Sequence, residues 1–142
     1  MYFIIPQLYL SDYEDAKGAP PNCFIVNCTK DLPMLRSGIR LPVNDDLSSE
    51  AMETMARELP RVLATIDKVR ADNGKVLVHC FAGQQRSAAV VAAYMMSKGM
   101  CKQDAIQFVR SKKRDAFLTG VNFDPVLENF SKNNKACLST SF

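Results

Sequence analysis

Apolar positions along this chain follow two rhythms. Short apolar or alternating runs predict strands over Leu8–Leu10, Phe24–Thr29, Gly38–Val43 and Lys75–His79. The last run is continuously apolar after Lys75 and predicts a central, buried strand. Elsewhere the spacing is three and four. Met52, Met55, Leu59, Leu63, Ile66 and Val69 share one helical face, with Ser48 or Ser49 as N-cap. Pro60 interrupts that face and predicts a kink or a split into two helices. Ser87–Lys98 is apolar on most sides and predicts a buried helix ending at Gly99. Gln103–Arg114 is amphipathic through Ala105, Ile106 and Val109. Asp124 and Pro125 open a last helix, with Val126, Leu127 and Phe130 facing inward. Strands alternating with helices predict an α/β fold, a central, mostly parallel sheet flanked by helices. Residues 1–132 read as one domain, and residues 133–142 as a polar tail expected to fray.

Composition narrows the classes. The chain has 142 residues, 47% apolar and 23% charged, which suits one soluble domain with a real core. No apolar run reaches the roughly 18 residues that span a bilayer. The opening MYFIIPQLYL lacks a basic segment and is broken by Pro6 and Gln7, so it does not read as a signal peptide. Five cysteines, Cys23, Cys28, Cys80, Cys101 and Cys137, match neither a zinc site nor a disulfide framework. A reducing, intracellular setting, cytoplasmic or nuclear, is expected. With one histidine, His79, a two-histidine metal site or a separate histidine base is not expected. The net charge of +3 permits anionic substrates but does not indicate nucleic-acid binding. Nothing in the sequence sets an oligomeric state.

The segment Val78-His79-Cys80-Phe81-Ala82-Gly83-Gln84-Gln85-Arg86-Ser87 carries chemistry. A buried strand ends at a cysteine, a short glycine-containing loop follows, and a helix begins. Converging N–H groups of such a loop, with the positive end of the helix, bind an anion. The same field favours a thiolate at Cys80. Arg86, after the five residues 81–85, can grip two phosphate oxygens with its planar fork. A thiolate beneath a clamped phosphate is arranged for in-line attack on phosphorus. A lone cysteine after an apolar strand is commonly core. The cysteine, arginine and hydroxyl between strand and helix set this one apart.

This segment resembles the phosphate-binding loop of the cysteine-based protein phosphatases, His-Cys-x5-Arg-Ser/Thr. The resemblance extends to "IPQLYL", "FIVNCT", "IRLPVNDD", "AAVVAAYMM", "DAIQFVRSKKR" and "VNFDPVLENF", roughly residues 4 to 130. It is to the small dual-specificity members. It implies that Cys80 forms a phosphocysteine and that Arg86 binds the phosphoryl group. It further implies loop N–H groups of Phe81, Ala82, Gly83, Gln84 and Gln85 around phosphate. Ser87 would assist departure of the thiolate, and His79 would support the loop. The pattern Pro42-Val43-Asn44-Asp45 favours Asp45 as general acid, with Asp46 as the alternative. Asn122 resembles an asparagine that braces the loop. No metal or other cofactor is implied, and the implied partner is a phosphorylated protein.

Two departures stand out. Gln84 and Gln85 replace small residues and are expected at the pocket rim, narrowing it or touching substrate. Pro60 is unusual in its helix but far from the chemistry. The short chain implies a shallow cleft admitting phosphoserine and phosphothreonine beside phosphotyrosine. Phosphoinositide relatives tend to carry lysines in the loop, and RNA-phosphatase relatives Arg-Thr-Gly where this chain has Arg86-Ser87-Ala88, so both are alternatives. A non-catalytic phosphate-recognition module is a third, although Cys80 and Arg86 are both kept. Lys112-Lys113-Arg114 reads as a solvated helix end, or as a steering patch for an anion. Finally, Cys28 ends a strand parallel to the one before Cys80, and some relatives keep a resolving thiol there. It is a candidate partner for oxidised Cys80, or a buried hydrophobe.

Overall fold

The computed structural model describes residues 1–134. Five strands form one sheet in the order β1-β2-β5-β3-β4: β1 Tyr2–Ile5, β2 Leu8–Ser11, β3 Cys23–Asn27, β4 Gly38–Arg40 and β5 Lys75–His79. The β1–β2 pair is antiparallel and all other pairs are parallel. As expected, β5 is central, with Val76, Leu77 and Val78 fully buried. Five helices complete the described chain: α1 Tyr13–Lys17, α2 Ser49–Ala71, α3 Arg86–Ser97, α4 Lys102–Lys112 and α5 Asp124–Asn134. The larger core joins the sheet to α2, α3, α4 and α5. A smaller one, built from Ala16, Ala19, Cys23, Ile25 and Leu77, lies under α1.

Several expectations are corrected. The α2 helix is not split in two but continues from Ser49 to Ala71 through Pro60. Proline removes one helical hydrogen bond. Here Pro60 is exposed, while Met55, Leu59, Val62, Leu63 and Ile66 on either side of it are buried together. That continuous apolar face outweighs the missing bond. Ser48 is the N-cap, its Oγ accepting from Ala51 N at 3.1 Å. Strand β3 stops at Asn27 because its side chain then redirects the chain: Asn27 Oδ1 accepts from Thr29 N at 3.0 Å and from Thr29 Oγ1 at 2.7 Å. Strand β4 ends at Arg40 rather than Val43, since Val43 N folds back to Leu41 O at 2.9 Å. Helix α3 does end ahead of Gly99, whose φ of +116° suits glycine. Helix α5 continues past Lys132 to Asn134, and the rest of the expected tail lies outside the described residues. Both β1 and the five-residue α1 are additions to the expected elements. Asp12 caps α1 by accepting from Asp15 N at 2.7 Å.

The parallel strands β2, β5 and β3 end side by side, with Ser11 opposite His79 and Asn27 opposite His79 on the other flank. In parallel sheets such a shared carboxyl edge is where loops gather around a ligand.

Candidate active site

Cys80 follows β5 at that edge and is 2% exposed. Its Sγ lies 3.1 Å from Ser87 Oγ, and Gly83 N–H donates to it at 3.3 Å. The loop 81–85 then enters α3 at Arg86. Its tight course depends on Gly83. Its φ is +71°, and a Cβ there would stand 2.7 Å from Ser11 O. Any side chain would push the loop off the end of β2.

Outward-facing carbonyls hold this loop open. Tyr13 N donates to Phe81 O at 3.0 Å, Lys113 Nζ to Ala82 O at 3.5 Å, and Phe117 N to Gln84 O at 2.8 Å. With those carbonyls tied to α1 and to the segment after α4, N–H groups remain for the Cys80 side. An anion-binding nest requires that arrangement.

Gln85 departs from the expected rim position. It is buried: its Nε2 donates to Gly120 O at 2.7 Å, and its Oε1 accepts from Asn122 N at 2.9 Å. Gln84 Nε2 donates to Asp115 Oδ2 at 3.2 Å. The two long amides pin the loop to residues 115–122. Nor is Lys113 part of a solvated run. It is buried, pairs with Asp115 and sits 5.4 Å from the Tyr2 ring centroid. Hydrogen bonds from Lys113 and Gln84 outweigh burial and hold the Asp115 carboxyl below the usual range. This Lys113–Asp115–Gln84 brace was missed because it is built between segments distant in sequence.

Arg86 Nη1 donates to Val43 O at 3.0 Å, fixing the guanidinium against the segment after β4. Its Nε is buried and has no hydrogen-bond partner. A buried cationic donor left open is an invitation to an anion. His79 is buried behind the loop, its Nδ1 3.1 Å from Cys80 O and its ring 5.9 Å from that of Tyr13. Burial pushes its pKa down, so the imidazole is neutral at pH 7.

Asp45 is exposed beside the site, and its Oδ1 accepts from Asn122 Nδ2 at 3.0 Å. Asp46, its neighbour, is otherwise engaged. Its Oδ1 accepts from Ser48 N at 3.1 Å ahead of α2, and hydrogen bonds from Ser48 hold its carboxyl below the usual range. Asn122 therefore touches the loop through its backbone N–H and the acidic loop through its side chain. Cys28 lies one residue beyond β3, fully buried, its N–H donating to His79 O at 2.8 Å.

Comparison with known proteins fits this constellation. The family model "Dual specificity phosphatase, catalytic domain" matches residues 8–133. The chain belongs to that family. Human dual specificity protein phosphatase 6 is 32% identical over 122 residues, covering 78% of this chain and 31% of the relative. The Drosophila melanogaster dual specificity protein phosphatase Mpk3 is 34% identical over 99 residues, covering 65% of this chain and 23% of the relative. The chain thus spans less than a third of these curated relatives' length. Among solved structures, human DUSP28 superimposes with a TM-score of 0.80 at 24% identity, covering 96% of this chain and 99% of the other. The human tyrosine phosphatase-like serine/threonine/tyrosine-interacting protein gives a TM-score of 0.77 at 26% identity, covering 94% and 96%. Among the described residues, no helix is long and apolar enough to cross a membrane, and no cluster of His, Cys, Asp and Glu could hold a metal ion.

Proposed function

We propose that this domain hydrolyses phosphate monoesters on phosphotyrosine and phosphoserine or phosphothreonine proteins through a phosphocysteine. The carrying observation is the Cys80 thiol held by Ser87 Oγ and Gly83 N–H at the head of α3, together with the open, buried Arg86 Nε. Cys80 Sγ attacks phosphorus while Arg86 and the loop N–H groups hold the equatorial oxygens. The bond to the ester oxygen breaks, and Asp45 gives that oxygen its proton. Water then attacks phosphorus and passes its proton to the Asp45 carboxylate. The S–P bond breaks, orthophosphate leaves, and Ser87 stabilises the departing thiolate. His79 is neutral and buried, which suits a loop support rather than a base. Release of phosphate from a small aryl phosphate tests the reading; its absence from folded protein would refute it.

Asn122, which also bonds Gln85 of the loop, holds the Asp45 carboxyl, whereas Asp46 serves the turn into α2 through Ser48, so Asp45 carries the acid role in this mechanism. Asp45→Asn should lower kcat about 10²–10⁴-fold, the range for a lost general acid. Asp46→Asn should leave kcat close to wild type. If the two effects are exchanged, the assignment is wrong.

Cys28 is proposed as the resolving thiol for oxidised Cys80. The two residues follow the paired positions Asn27 and His79 of adjacent parallel strands. Strand spacing of about 4.8 Å lies within disulfide range. Peroxide would oxidise the Cys80 thiolate to a sulfenic acid. The Cys28 sulfur would then displace its hydroxyl as water, forming the S–S bond. Burial pushes the Cys28 thiol well up, so this step should be slow relative to oxidation. Peptide mapping after mild peroxide should find Cys28–Cys80, reversed by dithiol. Recovery unchanged in Cys28→Ser would sink the idea.

A further inference from the structure

Large hydrophobic side chains left in solvent are informative when they gather in one place. Among the described residues the exposed ones are Met1, Tyr2, Phe3, Leu47, Phe81 and Leu118. Three of these stand on three different loops at the site. Leu47 is 64% exposed on the loop carrying Asp45, Phe81 65% exposed in the phosphate loop, and Leu118 65% exposed between α4 and α5. Those loops are stitched together by Asn122 to Asp45 at 3.0 Å and by Phe117 N to Gln84 O at 2.8 Å. Tyr2, at the near end of β1, covers the Lys113 that holds Ala82.

Leu47 has a second peculiarity. Its φ is +60°, a left-handed conformation that glycine and asparagine take readily and leucine resists. Neither burial nor backbone preference accounts for a leucine at this position, and an outlier beside a reactive centre points toward function.

Charge decides what the rim meets. Across residues 42–47, 81–85 and 115–121 the ionisable side chains are Asp45, Asp46 and Asp115; Lys113 pairs with Asp115, so the exposed carboxylates of Asp45 and Asp46 set the charge of the rim. Such a rim repels a polyphosphorylated headgroup or a nucleic-acid strand, whose further negative charges would lie next to the reacting one. It accepts a peptide whose flanking side chains are apolar.

Resting on the phosphatase reading above, we propose that Leu47, Phe81 and Leu118 form an apolar collar selecting phosphopeptides with bulky apolar residues next to the phosphorylated one. Burying one such side chain against the collar should raise kcat/KM roughly tenfold.

The test compares three synthetic phosphotyrosine peptides, flanked by leucine and phenylalanine, by serine and glycine, or by glutamate, alongside a small aryl phosphate. Vesicles containing phosphoinositide form a further arm. Wild type should prefer the apolar-flanked peptide. Leu47→Asn and Leu118→Ser should each reduce that preference severalfold, and the double variant should abolish it, while aryl phosphate hydrolysis stays at the wild-type rate. Leu47→Asn should not lower Tm, because asparagine fits the backbone better, and this separates recognition from folding. Equal rates on apolar- and serine-flanked peptides, or preference for the glutamate-flanked peptide or the vesicles, overturn the collar. Failure on aryl phosphate itself instead overturns the phosphatase reading.

Discussion

Cys80→Ser should abolish turnover while leaving the fold and anion binding intact. The substitution keeps the size of the side chain roughly constant, and the groups around it, Ser87 Oγ and Gly83 N–H, can hydrogen-bond a hydroxyl as well as a thiol. What changes is the nucleophile. A serine hydroxyl is not ionised at neutral pH, and no base stands ready to take its proton: His79 bonds the Cys80 carbonyl through Nδ1 and is buried behind the loop. A loss of about 10⁴-fold or more in kcat is expected, as for other removed nucleophiles. Thermal unfolding and retention of orthophosphate, measured on the same preparation, should match wild type. Turnover above background in this variant would exclude Cys80 as the attacking group.

How far the sequence reveals this site depends on distance along the chain. Cys80, Gly83, Arg86 and Ser87 lie within eight residues, so strand, loop and helix could be read together. The central β5 was legible because its apolar run is continuous, and α3 because it is apolar on most sides. Local rules failed where tertiary packing overrode them. Pro60 signals a break, yet the buried face on both sides carries α2 through it. The opening residues looked merely apolar, and β1 exists because β2 offers it an edge. The contacts bracing the loop were illegible for another reason. Gln85 meets Gly120 and Asn122, Lys113 meets Ala82, and Asn122 meets Asp45 across gaps of 31 to 77 residues. Nothing in local spacing announces them. The turn role of Asp46 had a local signal. A serine two residues after Asp46 marks it as a turn carboxylate, and the bond to Ser48 N is that turn.

Arg86→Lys should also be severely damaging, although it preserves the charge. In the proposed mechanism the guanidinium has two functions that one ammonium cannot combine. Nη1 is spent on Val43 O at 3.0 Å, anchoring the side chain to the segment that leads to Asp45. The buried Nε has no protein partner, and in that mechanism it takes an oxygen of the phosphoryl group. A lysine could take either partner. Choosing the anion frees the segment carrying Asp45, and choosing Val43 leaves the anion without its donor. The fork matches the equatorial oxygens best in the in-line transition state, so the loss should fall mainly on kcat. A reduction of about 10²–10³-fold, or ~2.7–4 kcal/mol, is expected by comparison with other lost electrostatic donors. Steady-state kinetics on an aryl phosphate provides the measurement. A near-wild-type kcat/KM would show that charge alone, without the fork, holds the phosphoryl group.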